Sequence, residues 1–363
     1  MTIGITGPRR RAPWRGAVVV GMTAAIVLSI CLILLGLMGD FLVDWLWFST
    51  IGYFDVFWTT IFAEAVVFFT VFLATAIILW VNGLLASRFA RSPWTQRPAD
   101  LEWKRAGIAT LPDVLEFMRH RLPWPLVIAG GASVLAVLVA WGEVRNWGVF
   151  LRYFYQVPYG TNDPLYEKDI GFYLFSLPAY VVIKNWMLLT LFLSALFAGA
   201  VYWVHGDIQY DAQRRSISPT VIAHGSVLLG FFFAVKAWSY GLDRYLLLYG
   251  DNGVVVGASY TDIHVELPVL WLLIGLSIVA ALAAWANLWV RTYRLPAAAA
   301  VLVFGGSFVL SGMVPGLFRH VFVKPSELER DRTQHRADPA SIQSPSDHGE
   351  TVPRRTGPYL RDT

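Results

Sequence analysis

The chain has 363 residues, of which 56% are hydrophobic and only 15% are charged. Soluble domains carry about 25% charged and roughly 45–50% apolar residues. A soluble enzyme, a disordered protein and a nucleic-acid-binding domain are therefore all disfavoured. The single cysteine, Cys31, excludes an intramolecular disulfide. This composition is typical of a protein that lives in a membrane.

Seven apolar runs are long enough to cross a bilayer as helices, which takes about 20 residues for a hydrocarbon core about 30 Å thick. The predicted spans are residues 16–39, 56–81, 125–141, 179–204, 219–235, 267–290 and 295–314. The third and fifth are the shortest. The sequence thus predicts an all-α fold, a polytopic transmembrane helical bundle of about seven spans.

Basic residues are divided unevenly between alternate connecting segments, and this division predicts the orientation of the chain. Fifteen bases and six acids on one side give a net charge of +9, whereas five bases and eleven acids on the other side give −6. The first side includes the basic arm at residues 1–15. We therefore expect a cytoplasmic N-terminus and, after seven spans of a 16–314 membrane domain, a C-terminus outside the cell membrane.

Three connecting segments have the character of membrane-surface structures. Residues 41–58 are rich in Trp, Tyr and Phe, whose rings favour the headgroup zone. Residues 141–156 place apolar side chains at three- and four-residue steps, which predicts an amphipathic helix on the outer leaflet. Residues 112–121 predict a second short interfacial helix on the inner side.

A small external β-hairpin is predicted in the connection before the sixth span. Two apolar runs, residues 245–249 and 254–256, flank Asp251-Asn252-Gly253. Asn-Gly between apolar runs favours a tight turn, because both residues accept a positive φ. This is the only sheet that the sequence predicts.

Ionisable side chains inside spans are the strongest pointers to function, because a charge in lipid is costly. Glu64 lies in the second span, Lys184 in the fourth, and Lys236 directly follows the fifth. A pair of Glu64 with Lys184 or Lys236 would neutralise the acid and join two helices. The alternative is that Glu64 is a proton or cation site on a transport path. His224, in the fifth span, is expected to bond to nearby backbone rather than to serve in a relay.

A second candidate cluster lies in the external connections. Its members could hold a divalent cation or an amine headgroup if the loops converge; they are Asp163, Lys168, Asp169, Asp243, Arg244, Asp262 and His264, with Glu167 and Glu266 nearby. No spacing matches a metal motif, so solvated loop charges are the simpler interpretation. Without GxSxG, Walker or dinucleotide motifs, we predict no catalytic, cofactor or metal residue, and we favour a protein that is not an enzyme.

Several loop motifs resemble those of the uncharacterised protein family UPF0182, bacterial multi-pass membrane proteins. The resemblance runs from about residue 40 to about residue 330, and the motifs that carry it are Val43-Asp44-Trp45-Leu46-Trp47-Phe48, Asn162-Asp163-Pro164, Lys168-Asp169-Ile170-Gly171-Phe172-Tyr173, Leu242-Asp243-Arg244-Tyr245, Gly257-Ala258-Ser259-Tyr260-Thr261-Asp262 and Val323-Lys324-Pro325. It implies seven N-terminal spans followed by a large extracytoplasmic region, and it implies no catalytic residue.

The end of the chain departs from this family pattern. Residues 315–330 are expected to begin the external region, whereas residues 331–363 are rich in Arg, Pro, Ser and Asp, with Tyr359 as the one aromatic. Such a segment buries too little apolar surface to fold. We interpret it as a disordered tail from a frameshift or truncation, which sequencing of the downstream DNA would test.

Two functional hypotheses from different classes follow. In the first, the membrane half is a scaffold or anchor for an external domain that is missing here, with the bilayer, other envelope proteins or a second copy as partners and no nucleic acid. In the second, it is a transporter or channel for a small solute or ion, with Glu64 on the path. An intramembrane hydrolase ranks third, because the sequence contains no nucleophile–base signature.

Overall fold

In the computed structural model, the described residues are 14–90, 123–205, 207–210, 215–250 and 262–313. Within these ranges the fold is helical except for one pair of short strands, so the all-α prediction is confirmed. The helices are α1 (Trp14–Thr50), α2 (Phe54–Phe89), α3 (Trp124–Glu143), α4 (Trp147–Phe154), α5 (Leu177–His205), α6 (Pro219–Leu246), α7 (Leu267–Val290) and α8 (Arg294–Ser307).

Short 3-10 and π turns lengthen several of these helices. The 3-10 turns are Val144–Asn146 and Leu247–Tyr249, and the π turns are Phe172–Ser176, Asp262–Glu266 and Phe308–Met313. With them, six of the described helices are long and apolar enough to cross a membrane: Phe54–Phe89, Trp124–Phe154, Phe172–His205, Pro219–Tyr249, Asp262–Val290 and Arg294–Met313. The count of seven stays a prediction, whose first span lies within α1.

The agreement between predicted and observed boundaries differs from helix to helix. Helix α7 begins and ends at the predicted residues, 267 and 290. Helix α6 instead continues eleven residues past the predicted end at residue 235. Asp243 and Arg244, predicted in an external loop, are therefore helical. Asp243 shares a helical face with Ser239 and pairs with Lys184 of α5, so its charge is compensated within the bundle.

The predicted external hairpin is wrong in its first arm. Residues 245–249 are helical, because they continue α6 through a run of leucines, which are good helix formers. The second arm and its turn lie outside the described residues, as do the predicted helix at 112–121 and the tail. Among the described residues, the strands form one pair, β1 (Ile208–Tyr210) with antiparallel β2 (Arg215–Ile217), between α5 and α6.

The chain divides into two compact units. The first contains α1, most of α2, α3, α4 and the start of α5; the second contains the rest of α5 and α6 to α8. In the first unit, α1 and α2 form a helical hairpin closed by a three-residue turn in which Gly52 adopts φ 77°. Rings from both helices meet at this turn: Phe57 is buried, and its centroid lies 5.5 Å from Phe41 and 5.9 Å from Phe48.

In the second unit, α6 packs most extensively against α7 through small side chains. Ser277, Ala280, Ala281 and Ala284 form a buried face of α7. Gly230 of α6 lies so close to the indole of Trp285 on α7 that an added Cβ would clash with Nε1. Small residues at helix contacts let two backbones approach, which is how helices associate in lipid. Val303 of α8 completes the buried core with Phe233.

Candidate functional site

A buried polar cluster links α5 to α6. The Nζ atom of Lys184 donates to Asp243 Oδ1 at 2.8 Å and to Ser239 Oγ at 3.0 Å. The side chain of Lys184 is 11% exposed and that of Asp243 is 30% exposed. Ser239 Oγ also lies 3.5 Å from Asp243 Oδ2. The ammonium group therefore has two oxygen partners on one helix, which compensates much of the cost of its burial.

The spacing of residues on α6 explains why this cluster forms. Lys236, Ser239 and Asp243 recur at three- and four-residue steps, which puts them on one side of a helix. The same face carries Tyr240 beneath Lys236, whose Nζ lies 4.2 Å from the ring centroid. The two lysines of the predicted intramembrane cluster thus have different partners: Lys184 has a carboxylate, and Lys236 has an aromatic face.

Glu64 belongs to the other compact unit. It lies in α2, and its side chain is half-buried. Neither a hydrogen bond nor an ion pair links Glu64 to another of the described residues. Lys184, one of its two predicted partners, pairs with Asp243 instead. A pair of Glu64 with a lysine stays a prediction of the sequence.

Asp163 and Asp169, which the sequence predicts in an external connection, build the loop before α5. Asp163 is buried and accepts hydrogen bonds from the amides of Leu165 and Tyr166, and from the hydroxyl of Tyr173 at 2.9 Å. Main-chain bonding between residues 162 and 169 closes the loop as an isolated antiparallel bridge. These carboxylates serve as local acceptors for backbone and hydroxyl groups, which orders the loop.

Asp169 accepts three main-chain hydrogen bonds. The amides of Tyr159 and Gly160 donate at 3.0 and 2.8 Å, and the amide of Gly171 donates at 2.6 Å. These bonds, from Tyr159 first and then Gly160, favour the charged carboxylate and lower the pKa of Asp169 below its ordinary value. The loop is therefore most stable when Asp169 is ionised.

The remaining members of the predicted external cluster are placed separately. Arg244 lies near the end of α6, with its guanidinium carbon 4.0 Å from the ring centroid of Trp271 on α7. Asp262 is buried in the π turn that leads into α7, and His264 lies in the same turn. Lys168 is exposed in the loop before α5. Among the described residues, no group of three or more His, Cys, Asp or Glu side chains could hold a metal ion.

A second polar link lies toward the other end of the second unit. His224 Nδ1 and the hydroxyl of Tyr202 are 3.0 Å apart. This histidine therefore contacts a side chain of α5, whereas the sequence analysis expected a backbone partner. Asn287 of α7 is fully buried and donates to Ser226 Oγ of α6 at 2.8 Å. Its Oδ1 accepts the amide of Thr292 at 3.0 Å, just beyond the end of the helix.

Sequence reasoning missed Ser239, Asn287 and the contact of Gly230 with Trp285. Ser239 could have been found from its spacing to Lys236 and Asp243. Asn287 and Gly230 carry no local signal, because their roles depend on a residue about 60 positions away.

Long apolar helices joined by buried polar links define a polytopic helical membrane protein. The chain belongs to the uncharacterised protein family UPF0182, whose model matches residues 21–334. The resemblance inferred from the loop motifs is thereby confirmed. No solved structure matches the chain.

The relatives that it matches are much longer proteins. It is 68% identical to a UPF0182 protein of Bradyrhizobium diazoefficiens over 92% of this chain and 36% of the relative. It is 48% identical to one from Cupriavidus necator, over 88% of this chain and 34% of the relative. A UPF0182 protein of a Nocardioides species is 32% identical over 85% of this chain and 30% of the relative. The chain thus spans about a third of the length of these curated relatives.

Proposed function

We propose that this chain is the membrane anchor and scaffold of a larger architecture, holding an extracytoplasmic region at the surface of the cell membrane. The observation that carries the proposal is the share of each relative that is matched: about a third of its length, and that third contains the apolar helices. Most of each relative therefore lies outside the matched region, and the matched helices would tether it.

The polar groups of the second unit support a static role. Lys184 is held by Asp243 and Ser239, and Asn287 is held by Ser226. Each of these bonds joins two helices, as expected of side chains that fix a bundle. The partners of such an anchor would be the lipid bilayer and other envelope proteins, or a second copy.

Topology provides the direct test. The charge asymmetry favours a cytoplasmic N-terminus and an external C-terminus. Alkaline phosphatase and green fluorescent protein, each fused after residue 363 of the full chain, report the side of that end, with matched N-terminal fusions as controls. We expect active phosphatase and dark fluorescent protein at the C-terminus, and the reverse at the N-terminus. A fluorescent C-terminal fusion would contradict the anchor.

A transporter for a small solute or ion is the second candidate, because Glu64 lies half-buried in a long apolar helix. Proton and cation fluxes into proteoliposomes, measured for the wild-type chain and for Glu64→Gln, distinguish the two functions. The anchor predicts fluxes equal to those of protein-free vesicles for both proteins. A wild-type flux that Glu64→Gln abolishes would establish transport instead.

A further inference from the structure

A cleft of about 380 Å³ runs along the contact between α6 and α7. Helix α6 contributes Ala234, Ala237 and Trp238 to its walls. Helix α7 contributes Ile274, Ile278, Leu282 and Trp285, which recur at three- and four-residue steps and so form one stripe of the helix. The small alanines leave the space, and the indoles bound it.

The length of this cleft matches one leaflet of a bilayer. Ile274 and Trp285 are eleven residues apart, which is about 16 Å along a helix. Half of a hydrocarbon core about 30 Å thick is about 15 Å. Since both helices are among the apolar helices that can cross a membrane, the cleft lies at the depth where lipid tails are found.

A cation lies about one helical turn beyond one end of the cleft. Trp271 precedes Ile274 by one helical turn on the same stripe of α7, and it is 56% exposed. Arg244 lies over its ring with 4.0 Å between the guanidinium carbon and the ring centroid, and its Nε donates to Gly241 O at 3.3 Å. The ring and this bond hold the guanidinium near the last residues of α6 and the first residues of α7. A guanidinium with five N–H donors is well suited to phosphate oxygens.

We propose that this cleft is a binding site for an anionic glycerophospholipid. One acyl chain lies between Ala234 of α6 and the Ile278 stripe of α7, and the phosphate lies against Arg244. The apolar walls select a hydrocarbon chain, and the cation at the end selects a negative headgroup. The lipid thus fills the cleft at the α6–α7 contact, which would strengthen the helix pair on which the proposed anchor depends.

Two leucines of α7 provide a matched pair of variants. Leu282 lines the cleft and is 58% exposed, whereas Leu272 is 54% exposed and is not one of the lining residues. Leu282→Trp fills the cleft, while Leu272→Trp adds the same ring elsewhere on the helix. Arg244→Gln removes the charge at the end of the cleft.

Native mass spectrometry of the full chain, released from nanodiscs of equimolar phosphatidylglycerol and phosphatidylcholine, measures the retained lipid. We expect one phosphatidylglycerol per wild-type chain, at least fivefold less in Leu282→Trp and Arg244→Gln, and no change in Leu272→Trp. Thermal melting in the same nanodiscs, within a few degrees of wild type, shows that the variants are folded. If a variant melts much lower, the test relies on the wild-type spectrum alone, in which phosphatidylglycerol should be retained in preference to phosphatidylcholine.

Equal retention of both lipids by the wild-type chain would overturn the proposal, as would unchanged retention in Leu282→Trp. A wild-type dimer that Leu282→Trp converts to a monomer would assign the cleft to a second copy instead. These outcomes are independent of the topology test, because a lipid site can be absent from a genuine anchor and present in a transporter.

Discussion

The helix contacts inside the first compact unit differ in kind from those inside the second. The α1–α2 hairpin closes with rings: Phe41 lies edge-on and Phe48 lies tilted against Phe57. The contact of α6 with α7 relies on the indole of Trp285 packed against Gly230 and on a buried bond from Asn287 to Ser226. In the same unit, Lys184 of α5 adds an ion pair with Asp243 of α6.

The difference reflects where each contact draws its free energy. In lipid, apolar side chains gain little by leaving one apolar environment for another, so helix association depends on packing and on interhelical hydrogen bonds. The second unit contains both. Aromatic rings near a helix turn instead suit the headgroup zone. We therefore expect substitutions in the second unit to cost more stability than those in the α1–α2 hairpin.

The largest effect is expected from Asp243→Asn. It leaves the buried ammonium of Lys184 without its carboxylate, and removal of one partner of a buried pair costs about 3–5 kcal/mol. Because Asp243 is 30% exposed, we expect the lower end, about 3 kcal/mol. Reversible unfolding in mixed micelles measures the change.

Exchange of the two charges is the control for this pair. Lys184→Asp combined with Asp243→Lys restores opposite charges across α5 and α6, so the double variant should recover most of the stability. Lys236→Met, which removes an ammonium from above a ring, should cost only about 0.5–1 kcal/mol. If Asp243→Asn costs no more than Lys236→Met, the pair does not hold the helices together.

Gly230→Ala is expected to have the next largest effect. The added Cβ would clash with Trp285 Nε1, so the indole or the helices must move. Overpacking of this kind costs about 1–3 kcal/mol. The matched control is Gly241→Ala on the same helix, where a Cβ would meet nothing within 4 Å. Equal unfolding free energies for the two variants would show that the close approach is not a constraint.

A smaller loss is expected from Phe57→Ala in the α1–α2 hairpin. Phe57 is 3% exposed, and its ring contacts both helices. Aromatic pairs contribute about 0.5–1.5 kcal/mol beyond their buried area. Because apolar burial itself contributes little between helices in lipid, we expect a loss of about 1 kcal/mol. Phe62→Ala, at a ring 71% exposed on the same helix, is the control. A loss larger than that of Gly230→Ala would reverse the ranking of the two units.

The sequence predicted the helices well because their main signal is local. The uncharged apolar run at residues 267–290 has the same boundaries as the observed helix α7, because a long apolar run by itself predicts a span. For α6 the same criterion failed, because Lys236 interrupts the apolar run although the helix continues. A charge inside a helix is tolerated when a partner exists, and that partner lies on another helix.

The site was less predictable than the fold for the same reason. Lys184 was identified from its position in an apolar run, but the acid proposed as its partner was Glu64, which could equally pair with Lys236. Asp243 was placed in a loop and thus was not considered as the partner. Which acid pairs with which lysine depends on helix packing, and a single sequence does not carry that information.

The smallest expected effect is that of Asp169→Asn, in the loop before α5. The folded-state pKa of Asp169 is lowered by hydrogen bonds from the amides of Tyr159 and Gly160. The resulting stabilisation is present above the unfolded pKa of an aspartate, about 3.9, and is lost as the pH falls through the lower folded value. At neutral pH, Asp169→Asn should speed amide hydrogen exchange of Tyr159 and Gly160 about threefold to tenfold, since hydrogen bonds to a charged acceptor are roughly twice as strong as neutral ones.

The control for this loop is Glu167→Gln, which removes a neighbouring exposed charge. It should leave the exchange of both amides unchanged, and neither variant should alter the unfolding of the second unit. Below the folded pKa the wild-type loop should exchange as fast as Asp169→Asn, because both then carry a neutral side chain. If the two proteins still differ there, the loop is ordered by the shape of residue 169 rather than by its charge, and electrostatics would be confined to the Lys184–Asp243 pair.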